Sequence, residues 1–100
     1  MDLQELFSKK LSNNESTYVK AHYIFFYCKE VSRDAIEQGN LSQAYFELNN
    51  SVNQFHEFMQ APDINSIERN QMRAWYMNLL FEKNELCLFA ENKNINLFEQ

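Results

Sequence analysis

The sequence predicts an all-α fold, an antiparallel bundle of three long helices with a short helix at the N-terminus. Hydrophobic residues make up 45% of the 100 residues and aromatic residues 15%, which excludes disorder, since disordered chains have low hydrophobicity and few aromatics. The only glycine is Gly39 and the only proline is Pro62, whereas sandwiches and barrels need many tight turns. A chain of this length fits a single helical domain, residues 1–100.

The N-terminal helix is predicted from a capping pattern followed by an apolar face. Asp2 and Glu5 have the spacing of a capping box, in which each side chain satisfies a free backbone amide of the first turn. The helix should end near Ser12, and its face carries Leu3, Leu6, Phe7 and Leu11.

The second helix should begin at a further capping pattern, from Ser12 to Glu15, and run to Gln38. Its centre, from Tyr23 to Cys28, is apolar around most of the circumference. Such a helix needs neighbours on more than one side, so we expect it to be central. Gly39 falls where the helix should stop, and glycine takes the left-handed conformation that a helix end requires. One face carries Tyr18, Ala21, Phe25, Cys28, Ser32 and Ala35.

The third and fourth helices are predicted from the spacing of their apolar residues and from the capping residues before them. Asn40 should cap the third helix, with Gln43 in the reciprocal position. Asp63 or Ser66 should cap the fourth, which we expect to reach about Asn92, with a kink or split in the polar stretch 82–85. The third helix has the clearest pattern, a heptad seam about 27 Å long formed by Leu41, Tyr45, Leu48, Val52, Phe55 and Met59.

The segment 35–52 resembles the central turn and second helix of a tetratricopeptide hairpin. Gly39, Asn40 and Ala44 match that pattern in kind and spacing. The first-helix positions depart from it, because they hold Cys28, Val31 and Ser32, and His56 occupies the terminal proline position. The chain shows no second repeat, and repeat folds need about three. The resemblance therefore implies a helical hairpin and assigns no family.

The chain is acidic, and its acidity is uneven. The net charge is -5, which disfavours direct binding to nucleic acid or to an anionic membrane. Glu30, Asp34 and Glu37 share one face of the second helix near its C-terminus, where like charges and the helix dipole are both mildly unfavourable. They form either an ordinary solvated face or a recognition patch for a basic partner.

The sequence carries no pattern of catalytic or cofactor-binding residues. Cys28 and Cys87 lie in apolar helical runs, and together with His22 and His56 they are isolated from one another, unlike the ligands of a zinc site. One glycine cannot form a phosphate-binding loop. We therefore predict a non-enzyme without cofactor or metal. No signal-peptide or membrane-span pattern occurs, so we expect a soluble, cytoplasmic protein with reduced thiols.

The predicted function is a small protein-binding module, such as an inhibitor, immunity protein, adaptor or chaperone. Phe46 and Phe58 lie off the apolar seam of the third helix, and aromatic side chains are enriched at interfaces. The aromatic excess also predicts self-association, with a homodimer as the simplest form. The predicted partner-binding residues are Glu30, Asp34, Glu37, Phe46 and Phe58.

The alternative function is a small helical hydrolase or nuclease. Its site would be assembled from Glu82 and Glu85 with His22 or His56. This hypothesis requires those residues to converge in one cleft, because general acid–base groups must reach the same substrate atoms.

Overall fold

Three α-helices and no strand make up the fold of residues 16–97, which a computed structural model describes. The helices are α1 (Thr17–Glu37), α2 (Leu41–Phe58) and α3 (Ser66–Asn92). The all-α prediction is confirmed for these residues. The predicted N-terminal helix and the capping pattern at Ser12 lie outside them. None of the three helices combines the length and the apolar character that crossing a membrane would require.

Both ends of α1 are fixed by local hydrogen bonds. The Ser16 side chain accepts a hydrogen bond from the Val19 N–H at 3.3 Å, so this residue is the N-cap. At the other end Gly39 adopts φ +76°, and the Asn40 N–H donates to the Ala35 carbonyl at 2.8 Å. This is the hydrogen-bond pattern of a left-handed C-terminal cap. The prediction that Gly39 ends the helix is confirmed.

The predicted heptad seam of α2 faces the core. Leu48, Val52 and Phe55 are buried, and Leu41, Tyr45 and Met59 pack around them partly exposed. The Asn40 side chain caps the helix by accepting from the Gln43 N–H at 3.2 Å. The reciprocal bond is not formed, because the Asn40 N–H donates to the Ala35 carbonyl, and the Gln43 side-chain amide donates to Glu47 at 2.9 Å.

Two predictions about α3 are wrong. Its N-cap is Asn65, which forms a complete capping box with Glu68, rather than Asp63 or Ser66. The helix also continues through residues 82–85 to Asn92, so the split, one of the two alternatives expected there, does not occur. Glu82 does not interrupt the helix, because its carboxylate faces α1 and pairs with Lys29 there.

The middle helix is α2, not α1 as the sequence suggested. It packs extensively against both other helices, whereas α1 and α3 meet along a narrower line. Tyr45 near the start of α2 contacts Lys83 of α3, and the Met59 carbonyl just beyond α2 accepts a hydrogen bond from Arg69 near the start of α3. The apolar circumference of α1 is therefore only partly covered, and Phe26 remains exposed. The largest fully buried side chains are Phe55, Leu48, Met72, Leu79 and Cys28.

Asp63 ties the loop before α3 to the first turn of α1. Its carboxylate accepts a hydrogen bond from the Thr17 N–H at 2.9 Å. Hydrogen bonds from the Thr17 side chain and backbone lower the pKa of the Asp63 carboxyl. Because the pKa is lower in the folded state, the ionised group stabilises the fold above its ordinary pKa of about 4 and loses this effect as the pH falls.

Asp63→Ala should therefore lower the melting temperature at pH 7 and have little effect near pH 3. Thermal unfolding followed by circular dichroism at both pH values measures this difference. Asp63→Asn is the control, because it keeps an acceptor oxygen and should retain part of the stability without its pH dependence. Equal melting of wild type and Asp63→Ala at pH 7 would show that the contact with Thr17 stabilises nothing.

Candidate functional site

A groove of about 450 Å³ lies between α1 and α3 and is the candidate site. Its floor includes Leu48 of α2, which is buried. We call this site the α1–α3 groove. It is lined by Lys29, Glu30, Ser32, Arg33 and Ile36 of α1, by Leu48, and by Phe81, Glu82 and Glu85 of α3.

Aromatic stacking holds α1 and α3 together on the N-terminal side of the groove. The Trp75 ring lies 5.4 Å from that of Tyr18, 5.2 Å from His22 and 5.6 Å from Phe25, each time nearly parallel. Offset stacked rings at these centroid distances contribute about 0.5–1.5 kcal/mol per pair beyond their buried area. The groove opens further along both helices, where the rings give way to smaller and charged side chains.

An ion pair between Lys29 and Glu82 lies where the groove begins. The Lys29 ammonium lies 2.5 Å from a Glu82 carboxylate oxygen and 3.0 Å from the Asn78 side-chain oxygen. It also lies 5.9 Å from the centre of the Phe25 ring. A partly exposed ion pair contributes only about 0–1 kcal/mol to stability. The pair joins α1 to α3 at this end of the groove.

The walls of the groove expose large apolar side chains to water. Ile36 on α1 is 46% exposed and Phe81 on α3 is 63% exposed. Both line the same groove as the buried Leu48. Contiguous exposed apolar surface with a polar rim is typical of interaction sites, whereas single exposed apolar residues are ordinary.

The rim of the groove is acidic on balance. Its lining holds three carboxylates, Glu30, Glu82 and Glu85, and two cations, Lys29 and Arg33. Glu30 pairs with Arg33 at 2.7 Å and Glu82 with Lys29, while Glu85 makes no ion pair among residues 16–97. Asp34 and Glu37 follow on exposed positions of the same helix, so the negative surface extends beyond the groove.

The five predicted partner-binding residues do not form one site. Only Glu30 lines the groove, with Asp34 and Glu37 further along α1. Phe46 is 49% exposed, on the face of α2 that also carries Asn50 and Asn53. Phe58 is partly buried against the core, with its ring 6.0 Å from that of Phe55 and perpendicular to it.

The sequence-based prediction of partner-binding residues missed three residues that line the groove, Lys29, Ile36 and Phe81. A signal for Ile36 was present, since it lies seven residues after Lys29 and three after Arg33, on one helical face. The local sequence does not show that this face of α1 lies beside α3, because the ion pair between Lys29 and Glu82 joins residues 53 positions apart.

The residues of the hydrolase hypothesis are not brought into one cleft. Glu82 and Glu85 line the groove, but His22 stacks on Trp75 and the His56 Nε2 lies 3.0 Å from the Tyr76 hydroxyl. Within residues 16–97 no group of three His, Cys, Asp or Glu side chains is arranged to hold a metal ion. The arrangement offers a histidine to neither carboxylate.

Cys28 is chemically protected in the core. Burial raises the pKa of its thiol to about 11, and its sulfur lies 3.6 Å from the Glu47 carbonyl oxygen. Nucleophilic cysteines instead have a lowered pKa and access to solvent. Cys28 is therefore a small packing residue in this structure, as the sequence predicted, and both it and the half-buried Cys87 are free thiols.

Comparison with protein families, with curated proteins and with solved structures finds no match for this chain.

Proposed function

We propose that the protein is a non-enzymatic binding module whose α1–α3 groove receives a basic, amphipathic segment of another protein. The observation that carries the proposal is the pair Ile36 and Phe81, two large exposed side chains that line one groove above a buried leucine. By masking such a segment, the module would act as an inhibitor, immunity protein, adaptor or chaperone in a reducing, cytoplasmic setting.

A helix is the segment that fits this groove best. In this proposal the three helices form an antiparallel bundle, in which α1 and α3 run in the same direction on either side of the groove. Contacts between them support this, because Phe25 meets Trp75 and Lys29, further along, meets Asn78 and Glu82. A partner helix could then pack as a fourth helix, with apolar anchors at i, i+3 or i+4, and i+7.

The charges of the groove rim favour a partner segment that is positively charged. Glu30 and Glu85 line the groove, and Asp34 and Glu37 continue the negative surface along α1, so cationic side chains flanking the apolar anchors would be favoured. Rim charges mainly set the association rate and exclude wrong partners, whereas desolvated apolar contacts set the dissociation rate. In this proposal the acidic stripe of α1 speeds association with a basic partner, and the apolar side chains of Ile36 and Phe81 slow its dissociation.

The partner can be captured from the native host with the full chain as bait and identified by mass spectrometry. Its association with the triple variant Glu30→Lys/Asp34→Lys/Glu37→Lys should then be slower than with wild type. The difference should shrink at 1 M salt, where the Debye length falls to about 3 Å. The fold should persist, because the three side chains reach solvent and Lys at positions 34 and 37 suits the last turn of α1.

Glu57→Lys/Glu91→Lys is the matched control, since both residues are exposed and outside the groove lining. It raises the net charge without altering the α1 stripe and should change association much less. Normal association of the folded triple variant at low salt would show that Glu30, Asp34 and Glu37 form only a solvated face.

A further inference from the structure

The side of α3 that faces away from the core carries a second apolar stripe. Met72, Leu79 and Leu86, seven residues apart, are its buried positions. On the opposite side Ile67, Met77 and Leu88 are 81%, 56% and 54% exposed. We call this surface the α3 outer face, formed by Ile67, Ala74, Met77, Phe81 and Leu88, all of which are exposed.

The spacing of these residues is that of a helix-pairing seam. Ile67, Ala74, Phe81 and Leu88 repeat every seven residues, and Met77 lies three residues after Ala74 and four before Phe81. Apolar residues at alternating intervals of three and four stay on one side of a helix and pack between the side chains of a partner helix. The buried and exposed stripes of α3 thus resemble each other in period and lie on opposite sides.

We infer that the α3 outer face is a homodimer interface, in which it packs against the same face of a second copy of the chain. A two-fold axis brings identical patches together, so a self-complementary stripe needs no second surface. Phe81 belongs to both surfaces, so the dimer and the groove partner would compete for this side chain, and the variants that test the dimer leave Phe81 unchanged.

The size of the face is sufficient for a specific dimer. The stripe from Ile67 to Leu88 is about 32 Å long at the rise of an α-helix. Pairing two such helical faces removes on the order of 1,000 Å² from water, which reaches the lower limit of specific protein interfaces. The exposed side chains are large, with the exception of Ala74, which allows close approach of the two helices.

The charges also favour a second copy on this face. Two uncharged residues, Asn70 and Asn84, lie within the stripe at the same helical positions as Met77. Of the exposed flanking residues Gln71 and Asn78 are neutral, and Arg73 and Glu85 have opposite signs. The stripe Glu30–Asp34–Glu37 lies on α1, where two copies of a chain of net charge -5 would repel each other. The α3 outer face is therefore the apolar surface on which two acidic copies can meet at little electrostatic cost.

Sedimentation velocity of the full chain between about 1 and 100 µM tests this dimer, since that range covers dissociation constants typical of modest interfaces. Wild type should sediment as a dimer at the upper end. The variant Ile67→Glu/Met77→Glu/Leu88→Glu should sediment as a monomer with an unchanged helical spectrum, and its dissociation constant should rise roughly 100-fold or more.

The control Phe46→Glu/Asn50→Glu/Asn53→Glu introduces the same number of glutamates on the exposed face of α2, and it should remain dimeric. If the triple variant of α3 loses its helical spectrum, sedimentation of the single variant Met77→Glu is measured in its place. A monomeric wild type at 100 µM, a dimeric α3 variant, or dissociation by the α2 control would each overturn the inference. Loss of the dimer without loss of partner binding leaves the proposed function intact.

Discussion

Phe55→Ala is expected to destabilise the fold by about 3–5 kcal/mol, a large fraction of the 5–15 kcal/mol that holds a typical domain together. Phe55 is fully buried in the middle helix. Its ring lies perpendicular to those of Phe58, at 6.0 Å, and Trp75, at 6.5 Å. Truncation would leave a cavity beside Trp75, whose stacking on α1 connects the first and last helices.

The melting temperature measures this loss directly. A change of 1 kcal/mol shifts the melting temperature of a domain this size by about 4–8 °C, so Phe55→Ala should lower it by roughly 12 °C or more. Phe46→Ala is the matched control, because it removes the same ring from an exposed position of the same helix. Its effect should stay within about 0.5 kcal/mol, and equal melting of the two variants would contradict the assignment of the core.

Ile36→Ser/Phe81→Ser is expected to weaken binding of the captured partner by roughly 10- to 140-fold. Fully burying one large apolar side chain contributes about 1.5–3 kcal/mol, and about half of each of these two side chains remains to be buried. Together they would contribute about 1.5–3 kcal/mol on binding. The fold should be little affected, since both side chains are already exposed in the unbound protein.

Calorimetric titration of the partner into wild type and variant gives the two dissociation constants. Phe46→Ser is the control, because it removes an exposed aromatic ring that lies outside the groove and should leave the affinity unchanged. An unchanged affinity of Ile36→Ser/Phe81→Ser would place the partner on another surface.

Helix identity and core positions were predictable because they depend on local patterns. Gly39 was recognised because a helix end needs a left-handed residue, and glycine adopts that conformation without strain. The seam of α2 was recognised because its period matches one face of a helix. The N-cap of α3 was assigned to the wrong residue, because Asp63, Asn65 and Ser66 are all residue types that cap helices. The spacing of Asn65 and Glu68 is nevertheless that of a capping box.

The candidate groove was not predictable because it depends on contacts between distant segments. Asp63, expected to cap its own helix, instead accepts a hydrogen bond from Thr17, 46 residues away. Glu82 suggested a break in α3, but its carboxylate pairs with Lys29 across the helix interface. Both acidic side chains thus bond to residues of α1, which is distant in sequence. In the sequence, a polar residue with such a distant partner looks the same as one that ends a helix, so periodicity alone cannot distinguish the two.

The most direct test of the groove as a binding site is a ¹⁵N nuclear magnetic resonance titration of the full chain. The probe is a synthetic amphipathic peptide of about 14 residues with leucine at i, i+3, i+4 and i+7 and lysine elsewhere, and the control peptide has glutamate in place of lysine. We expect the lysine peptide to shift the amide signals of Arg33 and Ile36 on α1 and of Phe81 and Glu85 on α3. Signals around Phe46 should not move, and the glutamate peptide should bind much more weakly. Shifts centred on α2, or equal binding of both peptides, would contradict an acidic groove between α1 and α3 as the recognition site.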